Sequence, residues 1–173
     1  MDNSFRHAIH VKGEDIDELG HVNNVVYLRW VQEVASAHWN FAANERLKGK
    51  YSWVVLRHEI DYRHPVFLSD KIVGDTWVGE HTGARFERFV RLCLADSEKI
   101  VAEAKTVWCL LDAVTLRPKR IEKRYWIYCR SRISNLSLGS PKSIISRFAS
   151  ARLRTIRSAL WPSQFWLISR PFA

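Results

Sequence analysis

The chain has 173 residues, 47% of them apolar, enough for one domain with a real core and too few for a multi-domain machine. Its net charge of +9 is unevenly spread: residues 1–123 carry 18 Lys and Arg against 18 Asp and Glu, and residues 124–173 carry 9 basic residues and no acidic one. The basic excess belongs to a tail, so a neutral body with no array of stacking aromatics and arginines argues against nucleic-acid binding by that body.

Cys93, Cys109 and Cys129 are odd in number and lack C-x-x-C spacing, which suggests neither a disulfide framework nor a zinc knuckle and fits a reduced, cytoplasmic setting. The opening MDNSFRHAIHVK places charges where a secretory signal needs an apolar stretch. The longest late uncharged run, Ser158 to Ser169, falls far short of the about 20 residues that span a bilayer, so no transmembrane helix is expected.

In chain order, FRHAIHVK at 5–12 reads as a first strand, followed by GEDIDELG, whose acids and two glycines predict an irregular loop. Val26, Tyr27, Trp30, Val31, Val34, Ala35 and His38 then recur at helical spacing, with Asn23 or Asn24 as cap and an end expected before Lys48-Gly49-Lys50. That stripe is wide and aromatic, as suits a helix wrapped by a sheet. From Ser52 the period becomes two: Val54, Leu56, Ile60 and Tyr62 alternate with Arg57, Glu59 and Asp61 until Pro65. Strands follow at about 71–79, 85–95 and 99–111, separated by HTGA and ADSEK turns. Such short connections favour antiparallel pairing, because parallel neighbours need long crossovers. The expected class is α+β, one long helix on the concave face of a five-stranded antiparallel sheet.

From about Arg124 the alternation dissolves, with Ser131, Ser134, Ser137, Ser140, Ser143 and Ser146 recurring every third residue. Between Ser143 and Leu160, a helix would bring Ile145, Phe148, Ala149, Leu153, Ile156 and Leu160 to one face and Arg147, Arg154 and Arg157 to the other. Three readings stand open: a basic amphipathic helix for a membrane or partner, a solvated tail, or the product of a reading-frame shift near the 3′ end. The expected organisation is a domain at 1–123 and a tail at 124–173.

Asp17, Gly20, His21, Val22, Asn23, Asn24, Tyr27 and Trp30 stand as D-x-x-G-H-V-N-N-x-x-Y-x-x-W where the acidic loop meets the helix. This pattern resembles the hot-dog-fold acyl-CoA thioesterases similar to 4-hydroxybenzoyl-CoA thioesterase and, more distantly, the plant acyl-ACP thioesterases. The likeness covers about residues 5–121, including E-I-D-Y-x-x-P at 59–65 and D-x-x-T-x-R-P-K-R-I at 112–121. It implies a curved sheet around a central helix, a homodimer or homotetramer with active sites at subunit interfaces, an acyl-CoA substrate, and thioester hydrolysis with neither metal nor organic cofactor. By the same resemblance Asp17 is the catalytic carboxylate, Asn24 supplies the backbone N–H that holds the thioester carbonyl, and His21 falls at the histidine of the plant enzymes. Those enzymes carry an asparagine two residues after the aspartate, where this chain has Leu19. Gly20, Val22, Asn23 and Tyr27 are the expected substrate-binding neighbours.

Elementary chemistry agrees with these roles. A helix N-terminus presents unpaired N–H groups and partial positive charge, suited both to an oxyanion and to an ionised carboxylate nearby. Asp17 would then either deprotonate a water or attack the carbonyl to form an anhydride. A thiolate leaving group, with a parent pKa of about 8.5, demands no strong general acid.

The structural readings of the same residues are a cap for Asn23 or Asn24, a loop hydrogen bond for His21, and core or acyl-pocket wall for Tyr27, Trp30 and Trp39. His7, His10, His58 and His64 lack metal-ligand spacing. No G-x-S-x-G elbow, P-loop or H-E-x-x-H is present. Arg85, Arg88 and Arg117 are candidates for the CoA phosphates. The competing function is a non-catalytic hot-dog module that binds an acyl thioester, its tail attaching it to a membrane or partner.

Overall fold

Asn23 begins the long helix by accepting the Val25 N–H at 3.0 Å on its side chain, which satisfies one of the N–H groups that a helix start leaves without an intrahelical acceptor. The computed structural model describes residues 4–122. In it the helix, α1, runs Asn24–Ala42 and buries Tyr27, Trp30, Val31, Val34, Ala35, His38 and Ala42 along one face, the stripe predicted from spacing. Five strands surround it: β1 (Phe5–His10), β2 (Tyr51–Tyr62), β3 (Lys71–Thr82), β4 (Arg85–Leu94) and β5 (Ile100–Asp112). All pair antiparallel in the order β1-β3-β4-β5-β2, so the expected α+β sheet and long central helix are present.

Three local readings need correction. The acidic loop contains one turn of 3-10 helix at Gly13–Asp15. The helical region does not run unbroken towards Lys48: α1 stops at Ala42, and a second helix, α2 (Glu45–Lys50), passes through Gly49. Asn44 explains the break, because its side chain accepts the Leu47 N–H at 3.0 Å and so starts a new helix where the old one ends. Third, β2 carries a bulge: Val55 lies opposite Trp108 and Arg57 opposite Val107, leaving Leu56 as the extra residue. Trp53 and Tyr62 are nine positions apart, yet both reach α1, through the rings of Trp39 and Tyr27. The predicted face of Val54, Leu56, Ile60 and Tyr62 is therefore split in two.

The main core lies between the first half of α1 and the sheet, where Trp30 and Val34 are wholly buried against Ile72, Val90, Leu92 and Ala102. Gly74 in β3 is required there, since a Cβ would collide with the Val34 side chain. A second cluster, Tyr51, Phe86, Leu110 and Ile121, sits at the far end of the sheet. Among the described residues, no helix is long and apolar enough to cross a membrane. The tail readings at 124–173 lie outside the described residues.

Candidate active site

The loop before α1 is built by its own backbone. Asp17 N–H donates to the His21 carbonyl at 2.9 Å and Gly20 N–H to the Asp17 carbonyl at 3.0 Å, closing a tight turn in which Gly20 adopts φ +78°. That left-handed conformation favours glycine, which has no Cβ to clash. The turn is pinned on both sides: Val22 N–H donates to the Val66 carbonyl at 2.8 Å and Asn23 N–H to the Asp15 carbonyl at 2.9 Å.

Asp15 anchors this assembly. Its buried carboxylate accepts Arg29 Nη2 of α1 at 2.6 Å and the Lys12 N–H at 3.0 Å, so the loop is fastened to the first turns of the helix. Two residues on, Asp17 has a different environment. Its side chain is 23% exposed, its Oδ1 accepts the Leu19 N–H at 2.9 Å, and its Oδ2 lies 3.4 Å from His21 Nδ1. His21 Nδ1 also faces the Val22 carbonyl at 3.3 Å. With an oxygen on either side, Nδ1 is the ring nitrogen placed to donate.

Asn23 is the cap, and Asn24 is the first residue of α1. The Asn24 N–H meets no acceptor among the described residues, while its carbonyl accepts the Tyr62 hydroxyl at 3.2 Å. The structure thus gathers Asp17, Gly20, His21, Asn23 and Asn24 at one junction. It places Val22, 1% exposed, and Tyr27, 2% exposed, in the core. The Tyr27 hydroxyl donates to the His64 carbonyl at 3.4 Å, and burial pushes its pKa up to about 12, so it is a neutral phenol.

Asp15, Arg29 and Val66 escaped the sequence reading. Tyr62 belongs to the E-I-D-Y segment, which signalled the family and not the site. Arg88 is buried and faces the inside of the sheet, so it is no candidate for phosphates at the surface, whereas Arg85 and Arg117 are exposed. Among the described residues, no cluster of His, Cys, Asp and Glu is placed to hold a metal.

Residues 11–134 match the thioesterase-like superfamily. The chain belongs to that superfamily. The class expected from the motif, thioester hydrolase, is the class of this family. The match runs past residue 123, where the charge of the chain changes. No curated protein matches by sequence. The fold is shared with Slr0204, a 1,4-dihydroxy-2-naphthoyl-CoA thioesterase from Synechocystis, at 16% identity and TM-score 0.63, covering 79% of this chain and 99% of that one. A thioesterase from Thermus thermophilus complexed with coenzyme A and Zn shares it at 22% identity and TM-score 0.64, covering 77% of this chain and 96% of that one. The SAV2348 protein from Staphylococcus aureus, in complex with CoA, shares it at 16% identity and TM-score 0.67, covering 83% of this chain and 93% of that one.

Proposed function

We propose that the protein hydrolyses an acyl-CoA thioester to the free carboxylic acid and CoA, in a reducing, cytoplasmic setting, with residues 1–123 carrying the reaction. The observation that supports this reading is the junction itself: a partly exposed carboxylate, Asp17, on a turn that runs straight into a helix start whose Asn24 N–H is unclaimed. Two neighbours in fold crystallised with CoA support the substrate class.

In this mechanism the Asn24 amide and the positive end of α1 hold the carbonyl oxygen as it becomes an oxyanion. Asp17 acts as general base on a water, or as nucleophile. By either route a C–O bond forms at the carbonyl carbon, the C–S bond breaks, and the thiolate leaves and takes up a proton; on the nucleophilic route a water then opens the acyl–Asp17 anhydride, releasing the acid and restoring the carboxylate. The turn amide at Leu19 holds Oδ1 in place, and each oxygen keeps a lone pair for the water, since a carboxylate has about four acceptor sites. His21 is a positioning residue whose Nδ1–H steadies Oδ2.

The proposal includes a homodimer or homotetramer. In support, β2 is an edge strand of 12 residues, paired on one side only to β5, and long unpaired edges are templates for pairing with another chain. Leu19, Val25, Tyr62, Phe67 and Leu68 are exposed apolar residues on the segments that build the junction, a surface that a second copy would cover.

The test is a thioester-cleavage assay over short, long and aryl acyl-CoAs with wild type and Asp17→Asn. Wild type is expected to turn over at least one of them. Asp17→Asn is expected to lose about 10²–10⁴-fold in kcat, the usual contribution of a general base, with an unchanged circular dichroism spectrum. Equal turnover by the two proteins would refute the assignment.

A further inference from the structure

Residues 62–66, which end β2 and carry the chain towards β3, reach both halves of the junction assigned to catalysis. The Val66 carbonyl accepts the Val22 N–H at 2.8 Å and so grips the turn that carries Asp17. The Tyr62 hydroxyl donates to the Asn24 carbonyl at 3.2 Å, in the first turn of α1. About one turn further along the helix the exchange is reversed, for the Tyr27 hydroxyl donates to the His64 carbonyl at 3.4 Å. The two phenol rings meet edge to face, 5.4 Å apart at 88°. Strand end and helix start thus each give the other one hydroxyl.

The segment is itself firmly held. Tyr62 lies opposite Ala102 of β5, and the N–H groups of Arg63 and His64 both donate to the Val101 carbonyl, at 2.8 and 3.2 Å. Pro65 has a ring-locked φ and restricts the backbone of His64 before it. Tyr27 is buried, so its ring cannot leave without opening the core, and Tyr62 leans on that ring. Burial raises the pKa of both phenols, so both remain protonated donors at neutral pH. The helix start has fewer supports of its own. Its first N–H groups have no intrahelical acceptor, and the Asn23 side chain takes up that of Val25.

We propose that Tyr62 is a positioning residue for the oxyanion donor: in a reciprocal clamp with Tyr27, its hydroxyl fixes the Asn24 residue, and so the Asn24 amide, relative to Asp17. The inference rests on the hydrolysis assigned above. A donor that stabilises a transition state is effective when it is already in place, and a displacement of about 1 Å can cost about 10²-fold in rate. Asp17 and the Asn24 amide sit on different structural units, a turn and a helix, so their spacing needs a common support. Residues 62–66 supply one, holding Val22 on the turn side and Asn24 on the helix side.

The experiment is steady-state hydrolysis of acyl-CoAs by the full chain as wild type, Asp17→Asn, Tyr62→Phe and Tyr62→Leu, with amide hydrogen exchange on wild type and Tyr62→Phe. Phenylalanine keeps the ring against Tyr27 and removes the hydroxyl alone. Tyr62→Phe is expected to lower kcat about tenfold with KM unchanged, the mark of a contact that acts in the transition state. Tyr62→Leu is expected to fall little further. The Leu28 N–H, helical partner of the Asn24 carbonyl, is expected to exchange about fivefold faster in Tyr62→Phe, the effect of about one hydrogen bond. Wild-type kcat in Tyr62→Phe with a loss in Tyr62→Leu alone would reduce the contact to ring packing and overturn the inference. A raised KM at unchanged kcat, which would make Tyr62 a substrate contact, would overturn it too, as would unaltered exchange at Leu28. In those cases Asp17→Asn still loses turnover and the hydrolase reading stands. A wild type that cleaves no acyl-CoA, or an Asp17→Asn variant as active as wild type, would overturn that reading and the inference with it.

Discussion

Arg29 Nη2 meets the Asp15 carboxylate at 2.6 Å, with the acid side chain wholly buried and the arginine side chain 47% exposed. The asymmetry sets the energetics. Arg29→Met leaves a buried anion with one backbone N–H for a partner and is expected to cost about 3 kcal/mol. Asp15→Asn leaves an arginine that water can reach and is expected to cost about 1–2 kcal/mol. Urea unfolding of the two variants checks the order; a larger loss from Asp15→Asn would show that the pair is not the anchor of the loop.

In the proposed mechanism His21 steadies Asp17 across 3.4 Å and does not itself receive the proton of the attacking water. His21→Ala is expected to lower kcat well short of the roughly 10²–10⁴-fold that a general base supplies. His21→Asn, which retains a donor on a similar reach, is expected to recover part of the loss. Steady-state kinetics on one acyl-CoA decides this, and an alanine variant as impaired as Asp17→Asn would make His21 the base.

Gly74 faces Val34 where sheet and helix are closest. Gly74→Ala is expected to destabilise by about 1–3 kcal/mol through overpacking. Adding Val34→Ala removes the colliding methyl groups, so the double variant is expected to lose less than the sum of the single losses. Additive thermal denaturation data for the three variants would mean that the contact yields freely.

His38 has a folded pKa of about 3 against an ordinary 6.5, lowered first by burial and then by Arg88. Between these values the unfolded chain binds a proton that the folded chain refuses, so stability rises with pH there and is lost on acidification from about 6.5 towards 3. The expected slope from this one group is about 1.4 kcal/mol per pH unit. His38→Gln, which keeps an acceptor for Arg88, is expected to remove that share of the slope. Urea midpoints at pH 7, 6, 5 and 4 measure it; parallel curves for the two proteins would contradict the burial of a neutral imidazole.

The long helix and the strands were readable because their signals are periodic: Tyr27 to His38 step at helical spacing, and Pro65 and the Gly83 turn punctuate the strands. What escaped was decided by tertiary pairing. Leu56 looks like any alternating strand residue until its partner strand shows two residues facing one. Asn44 restarts a helix that Gly49 argued against. Asp15 and Asp17 look alike in the string D-I-D, yet one is sealed beneath Arg29 and the other stands at the junction, a difference that depends on residues 12 and 29 folding over the loop. An aromatic cavity of about 370 Å³ with Trp39, Trp53 and Trp108 in its wall was invisible, because that wall comes from both helices, four strands and Ile121.

The extra residue at Leu56 has a wider consequence. Upstream of it, odd-numbered side chains of β2 look towards the helix; downstream, even-numbered ones do. One strand thereby serves both ends of α1, giving Trp53 to the aromatic chamber and Tyr62 to the Asn24 carbonyl. Pairing Leu56 in step, with no bulge, would impose an unbroken pleat and turn one half of the strand inside out. The chain would have to forfeit either the chamber wall or the tether on the helix start.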